Sequence, residues 1–338
     1  MIDWITARIP CQKFNRERLQ NGCVAAFDPE GNPQWMKRKS QQVVTEAGAS
    51  INVEATSDER GMGLRIDGNP AKWLQGHNVF GSNNLKGIVW ATLLRLLPIL
   101  EMEPTDEELD AWERGDYPLS RVDCTEMIDL GSRENVLAWL NTAQFQSKSR
   151  HGKPIMTGGT LYFGKHSRRW ALKFYSKAEE MLRKEYRKER LRPGFDRLTE
   201  YAEGKLRIEL VLRTPRLEEL GLDRANVWPD VDMEALIRFH LGKIDLSDQF
   251  RLVGETMADL KPRLVAVVKL WEAGEDLRSL YSVTSFYRYR RELLSHGIDI
   301  SIAAAPSAPR NTTLREAVDR EFAGIPAWAK EEGVIHEP

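Results

Sequence analysis

Three segments of the sequence combine acidic, basic and tyrosine side chains at alternating positions. They are residues 121–125, 170–177 and 205–213. Successive side chains of a strand point to opposite faces, so each segment predicts a strand with one apolar face for a core. The opposite faces carry the reactive side chains, which are Arg121, Asp123 and Thr125, then Lys173, Tyr175 and Lys177, then Lys205, Arg207, Glu209 and Arg213.

These residue types suit metal-assisted phosphoryl transfer if the three strands converge. The carboxylates of Asp123 and Glu209 could hold a divalent cation, Mg²⁺ or Mn²⁺. Tyr175 could supply a nucleophile that forms a covalent intermediate. The alternative is a solvated sheet face on which Asp123 and Glu209 pair with Arg121 and Arg207. Alternation alone does not decide which strands are neighbours.

The remaining patterns predict an α+β fold. Strands are expected over 2–9, 51–54, 63–67, 160–164 and the three segments above, and a loop over 151–159. Helices are expected over 85–101, 103–116 after Thr105, 132–145 after Ser132, and 178–191. We therefore expect a core over residues 1–222 with a central antiparallel sheet flanked by helices. A mainly helical region, 223–302, and a linker with a short terminal helix, 303–338, follow.

Composition sets limits on the class of protein. Apolar residues make up 41% and charged residues 29% of the chain, as in ordinary globular proteins, and the net charge is −1. A nucleic-acid partner would therefore need local basic surface. The three cysteines form no C-x-x-C pair, and no segment has the pattern of a signal peptide or a membrane span. We expect a protein of a reducing cytoplasm.

Residues 70–81 read P-A-K-W-L-Q-G-H-N-V-F-G, and this segment closely resembles a signature of the filamentous-phage gene II and gene X replication proteins. Further blocks of that family follow in order across residues 1–300, namely MID at the start, SRVD at 120–123, FYSK at 174–177, LRIEL at 206–210 and FYRYRRELLSHG at 286–297. The chain also resembles plasmid initiators of the Rep_trans type. Their nickase core is related to the HUH endonucleases but lacks the His-hydrophobic-His pair, which this sequence lacks too.

The resemblance implies an initiator of rolling-circle replication. Such a protein nicks one strand at the phage origin through a tyrosine, keeps a 5′-phosphotyrosine, leaves a 3′-OH primer and later rejoins the displaced strand. Tyr175 becomes the expected nucleophile, with Lys177 beside it if the strand continues that far. Asp123 and Glu209 become the expected metal ligands, and Asp3 is a further candidate. His77 is either a third ligand, a phosphate contact, or a residue that only stabilises its loop.

Two basic patches are expected to contact DNA phosphates and bases. The first surrounds the predicted hairpin tip at Lys165, Arg168 and Arg169, together with Lys173. The second interleaves cations with tyrosines at Arg288, Arg290 and Arg291. The alternative for the second patch is an ordinary amphipathic helix.

Two other functions stay open at this point. One is a non-catalytic DNA-binding regulator of the same family, such as a repressor, and the other is a plasmid mobilisation relaxase. The resemblance implies double-stranded and single-stranded origin DNA as partners, in the cytoplasm of a bacterial host. It also implies a host helicase, single-strand-binding protein and DNA polymerase, with a homodimer as a further possibility.

Overall fold

A nine-stranded antiparallel sheet forms the centre of the protein, in the order β4-β5-β6-β1-β7-β12-β11-β10-β9. The computed structural model describes residues 1–19, 22–45, 48–59, 61–149, 152–183, 194–246, 260–296, 298–302 and 313–336. The strands are β1 (Ile2–Pro10), β2 (Cys23–Phe27), β3 (Pro33–Arg38), β4 (Gln41–Val44), β5 (Ser50–Asp58), β6 (Gly61–Gly68), β7 (Leu119–Asp129), β8 (Lys148–Ser149), β9 (Ile155–Thr157), β10 (Thr160–Phe163), β11 (Trp170–Ser176), β12 (Lys205–Arg213) and β13 (Ile244–Asp245).

Helices flank this sheet and follow it in the chain. They are α1 (Pro70–Gln75), α2 (Leu85–Leu100), α3 (Asp106–Arg114), α4 (Arg133–Gln146), α5 (Lys177–Met181), α6 (Phe195–Ala202), α7 (Thr214–Leu220), α8 (Met233–Leu241), α9 (Pro262–Glu272), α10 (Leu277–Leu280), α11 (Val283–Leu294), α12 (Leu314–Val318) and α13 (Ala327–Glu331). The predicted α+β class, with a central antiparallel sheet and a mainly helical C-terminal region, is confirmed.

The three strands with reactive side chains are neighbours in the middle of the sheet. β12 lies between β7 and β11, with Glu209 opposite Thr125 on one side and opposite Lys173 on the other. The alternate residues of these strands, among them Cys124, Phe174 and Leu210, belong to the main hydrophobic core. Helices α2, α4 and α8 contribute to the same core, so the sheet has one apolar face under these helices and one polar face.

Several local predictions match the structure. Thr105 caps α3 in a complete capping box with Glu108, and the side chain of Ser132 caps α4. The expected loop over 151–159 instead contains β9, which adds an edge strand to the sheet. The helix expected over 178–191 starts one residue earlier as α5 and ends at Met181, with Leu182 as its C-cap. Residues 184–193 of the expected helix lie outside the described part of the chain.

The C-terminal half contributes to three hydrophobic clusters, and Ala329 with the residues around it packs with Phe80 and Met127 in one of them. Residues 225–246 and 314–318 pack into the main core, whereas residues 260–300 form a cluster of their own around α9, α10 and α11. The division after residue 222 stays a prediction. Among the described residues, no helix has the length and apolar character that crossing a bilayer requires.

Gly204, just before β12, lies in close contact with the backbone between β7 and α4. It has φ +70°, and a Cβ there would lie 2.8 Å from the backbone of both Gly131 and Ser132. Gly221 has a similar φ of +67° but open space around it, so it is a matched control. We expect Gly204→Ala to lower the free energy of unfolding by about 1–3 kcal/mol more than Gly221→Ala does, because only Gly204→Ala also forces a steric overlap. Urea unfolding of both variants measures the difference, and equal losses would contradict the close approach.

Candidate active site

A bulge in β1 brings Asp3 onto the polar face of the sheet. The register between β1 and β7 shifts between Ile2 and Trp4, so Asp3 is an extra residue in the strand. Its Oδ1 accepts hydrogen bonds from Asn69 at 2.8 Å and from Asn78 at 3.0 Å. The bulge thus places a buried carboxylate beside β12.

Arg207 lies at the centre of this polar face with no exposed surface. Its Nη2 donates to Asp3 Oδ1 at 3.0 Å, and its Nη1 donates to the backbone oxygen of Asn78 at 2.7 Å. Its Nε lies 3.8 Å from Glu209 Oε1. Burial opposes the charge of Arg207, but the neighbouring Asp3 and Glu209 carboxylates raise its pKa overall, so the guanidinium stays ionised.

Tyr175 and Glu209 are joined directly. The Tyr175 hydroxyl donates to Glu209 Oε1 across the β11–β12 pair, and both residues are buried. Burial raises the pKa of the Tyr175 phenol well above its ordinary value, with Glu180 and Glu209 adding to the effect. Burial also raises the pKa of Glu209. The phenol is therefore protonated at neutral pH and needs a base to act as a nucleophile.

Lys173 lies between the two carboxylates expected to bind metal. Its Nζ is 2.6 Å from Glu209 Oε2 and 3.3 Å from Asp123 Oδ2. Asp123 also accepts two hydrogen bonds from Arg121, at 2.6 and 2.7 Å. The side chains of Lys173 and Arg121 are 21% and 32% exposed, so the otherwise buried cluster reaches solvent on their side.

The donor set fits a two-carboxylate cation site better than a site with a third protein ligand. Asp123 and Glu209 already share one positive group, and Mg²⁺ commonly uses one or two carboxylates together with phosphate and water. Across the described residues, no three His, Cys, Asp or Glu side chains converge as metal ligands would. Lys173 would have to leave its position for a cation to enter.

His77 is held by backbone groups of the C-terminal segment and its own loop. Its Nε2 lies 2.7 Å from the Val334 oxygen, and its Nδ1 accepts from the Val79 amide at 3.3 Å. These contacts match the loop-stabilising interpretation. A role for His77 at a metal or phosphate stays a prediction.

Lys177 does not continue the face of β11. The strand ends at Ser176, which caps α5, and Lys177 is the first helical residue. Its Nζ donates to Asn78 Oδ1 at 2.8 Å and to Glu180 Oε2 at 2.6 Å, and burial lowers its pKa to about 8. Lys177 therefore joins the cluster through Asn78 rather than by strand alternation.

The expected DNA-binding residues fall into different environments. Arg168 and Arg169 are exposed at the turn between β10 and β11, but Arg169 Nη2 is ion-paired with Glu219 on α7. Lys165 lies over the Tyr162 ring with its Nζ 2.9 Å from Thr157 Oγ1. Lys173, as shown above, bonds the carboxylates instead.

The second expected patch is divided by one ion pair. On α11, Arg288 and Arg291 are exposed beside Tyr287. Arg290 makes a two-point ion pair with Asp299, at 2.6 and 2.7 Å, which ties α11 to the chain that follows it. Arg290 thus has a structural contact that its spacing did not suggest.

Sequence reasoning missed Asn78, which contacts three members of the cluster. Its side chain bonds Asp3 and Lys177, and its carbonyl bonds Arg207. Its position next to His77 in the most distinctive segment was the available signal. Thr125, opposite Glu209, was also given no role; its buried hydroxyl has no hydrogen-bond partner among the described residues.

Comparison with known proteins places this geometry in a family. Residues 1–231 match the model of the N-terminal region of a phage replication-associated protein family, and residues 260–335 match the model of the C-terminal region of the same family. The chain is 34% identical over 313 residues to the replication-associated protein of Enterobacteria phage I2-2. The aligned region covers 89% of this chain and 88% of that protein. No solved structure matches. The chain belongs to this family of phage replication-associated proteins, the gene II family.

Proposed function

We propose that this protein initiates rolling-circle replication by nicking one strand at a phage origin with Tyr175. The observation that carries the proposal is the hydrogen bond from the Tyr175 hydroxyl to Glu209, within a cluster that also holds Lys173, Asp123 and Arg207. Membership of a replication-associated family makes DNA the expected substrate.

The proposed step is an attack of the Tyr175 oxygen on a backbone phosphorus. A bond forms between this oxygen and phosphorus, and the bond to the 3′ oxygen breaks. The phenolic proton passes to Glu209 Oε1, to which the Tyr175 hydroxyl already donates a hydrogen bond. The expelled 3′ oxygen takes up a proton from solvent water and becomes the 3′-OH primer end. Reversal, with a 3′-OH attacking the phosphotyrosine, rejoins the displaced strand.

The cations of the cluster have separate roles in this proposal. Lys173 has a flexible side chain that can move from the carboxylates to a bound phosphate, because its Nζ is held only by Asp123 and Glu209 in the contacts described. Arg207 is fixed by Asp3 and Asn78, so it supplies a permanent positive charge beside Tyr175. A divalent cation held by Asp123 and Glu209, Mg²⁺ or Mn²⁺, would polarise the phosphate and neutralise its developing charge.

Partners follow from the same proposal. Origin DNA would run along the exposed cations at the β10–β11 turn, Arg168 and Arg169, towards the solvent side of the cluster at Lys173 and Arg121. A host helicase, single-strand-binding protein and polymerase would then extend the nicked strand in the host cytoplasm. Homodimer formation is a separate expectation that a sedimentation measurement would decide.

The nucleophile is tested by Tyr175→Phe. This variant keeps the buried ring but removes the attacking oxygen, so it should fold, bind origin DNA and fail to nick supercoiled phage DNA. Tyr162→Phe on the neighbouring strand is the matched control and should nick normally. Peptide mapping of the trapped adduct should find DNA on the fragment that contains Tyr175. An adduct on Tyr287 or Tyr289 would move the active site to α11.

The carboxylates are tested by Asp123→Asn and Glu209→Gln. Nicking should fall about 100-fold or more, because several kcal/mol of transition-state stabilisation depend on these groups. Origin binding should persist, since cations on phosphates carry it. Glu54→Gln is the control, as Glu54 is a carboxylate of the same sheet that pairs with Arg65 at 3.7 Å. Nicking that survives both EDTA and these variants would overturn the metal-assisted mechanism.

The β10–β11 turn is tested through the salt dependence of DNA binding. Replacing Arg168 and Arg169 with alanine should weaken binding and reduce the slope of log K against log salt by roughly one unit for each lost phosphate contact. The pair Arg288→Ala and Arg291→Ala applies the same measurement to α11. An unchanged slope would assign the altered arginines to ordinary solvated surface.

A further inference from the structure

A cavity of about 410 Å³ lies beside the tyrosine cluster and shares Arg207 with it. Three parts of the chain, together with Met1 and Arg207, form its walls. They are the loop 79–83, residues 125–127 of β7, and the C-terminal segment through residues 323–325 and Ile335. The C-terminal wall is fixed to the sheet, because the Ala323 amide donates to the Met127 oxygen at 2.7 Å and the Tyr201 hydroxyl donates to the Gly324 oxygen at 2.8 Å.

One buried polar atom of the cavity lining has unused hydrogen-bonding capacity. Thr125 Oγ1 lacks a hydrogen-bond partner among the described residues, and Thr125 is 1% exposed. A buried polar atom without a partner costs free energy. Because Thr125 lines the cavity, a polar ligand bound there would complete this hydroxyl. Arg207 also lines the cavity, but its Nε lies 3.8 Å from Glu209 Oε1, on the side of the tyrosine cluster.

The other lining groups indicate the chemical type of the ligand. Val79, Phe80, Met127 and Ile325 supply apolar surface, and Ser82, Asn83 and Glu126 supply donors and acceptors near the rim. Apolar walls with a few placed polar groups suit a flat heterocycle that has apolar faces and hydrogen-bonding edges. Enzymes that flip a nucleobase out of the helical stack bind it through such apolar contacts to its faces and hydrogen bonds to its edge. The cavity is also close to the proposed nucleophile, because its lining residue Arg207 lies directly opposite Tyr175 in the β11–β12 pair.

We propose that this cavity binds one nucleobase of the single strand whose phosphate lies at Tyr175. The inference rests on the proposed nicking function, because the position of the base is taken from the position of the phosphate. Thr125 Oγ1 bonds an edge of the base, and Ile325 of the C-terminal segment covers one of its faces. The C-terminal segment thereby helps to select the DNA sequence that is nicked by Tyr175.

The test measures DNA binding rather than nicking, so its readout differs from that of the nucleophile test. The full-length Tyr175→Phe protein is titrated with single-stranded oligonucleotides tiled across the phage origin region. The tightest one is then re-made with an abasic site at each position in turn. We expect one position, or two adjacent ones, to weaken binding about tenfold when the base is missing, as the loss of one well-held base does.

Two further substitutions connect that position to the cavity. Thr125→Val removes the unpartnered hydroxyl while keeping the shape, and it should weaken binding of the intact oligonucleotide and reduce the abasic penalty at the sensitive position. Thr56→Val is the matched control, because Thr56 Oγ1 is likewise buried without a hydrogen-bond partner among the described residues but lies on β5, away from the cavity. Ile325→Trp, at a residue 41% exposed, fills the cavity and should act like Thr125→Val.

Three outcomes separate the possibilities. A penalty that Thr125→Val and Ile325→Trp both reduce, and that Thr56→Val preserves, supports the base site. A uniform response to abasic positions, or a penalty that survives both cavity substitutions, overturns it. The DNA adduct on Tyr175 is measured separately, so loss of the base site would leave the nicking proposal standing, and a nucleophile elsewhere would not erase a base-specific penalty.

Discussion

The buried guanidinium of Arg207 is the constraint around which the polar face is built. An ion taken out of water costs several kcal/mol unless its neighbours replace the lost hydration. Arg207 therefore requires the Asp3 carboxylate at 3.0 Å, the Asn78 carbonyl at 2.7 Å and the nearby charge of Glu209. Each of these groups comes from a different part of the chain. The bulge in β1, the loop after α1 and the alignment of β12 are consequently coupled through one side chain.

The same requirement orders the rest of the cluster. Asp123 and Glu209 are buried acids, and Arg121 and Lys173 neutralise them from the side that faces solvent. Each of the two carboxylates thus has a cation partner within the protein. In the proposed mechanism the ammonium group of Lys173, on its long side chain, changes partners when a phosphate binds. The Tyr175 hydroxyl donates to Glu209 in the same cluster, and burial raises the pKa of this phenol.

The C-terminal segment belongs physically to this site. Val334 contacts His77, the His336 amide bonds Gln75 at 2.8 Å, and the Trp328 ring lies 5.7 Å from that of Phe80. These contacts hold the loop that carries Asn78, and Asn78 in turn holds Arg207. The two regions that match the separate N-terminal and C-terminal models of the family therefore meet at the wall of one cavity.

The sequence by itself determined the faces of the strands and the helix caps at Thr105 and Ser132, because these depend on alternation and on neighbours a few residues away. It also singled out Tyr175, Asp123 and Glu209 as one chemical set. Only the tertiary structure decided that their strands adjoin, since alternation carries no information about which strand pairs with which. Long-range contacts likewise placed Lys173 between the two acids and His77 against Val334, 257 residues away. The turn into α5 at Lys177 is local, yet its buried contact with Asn78 needed the folded loop.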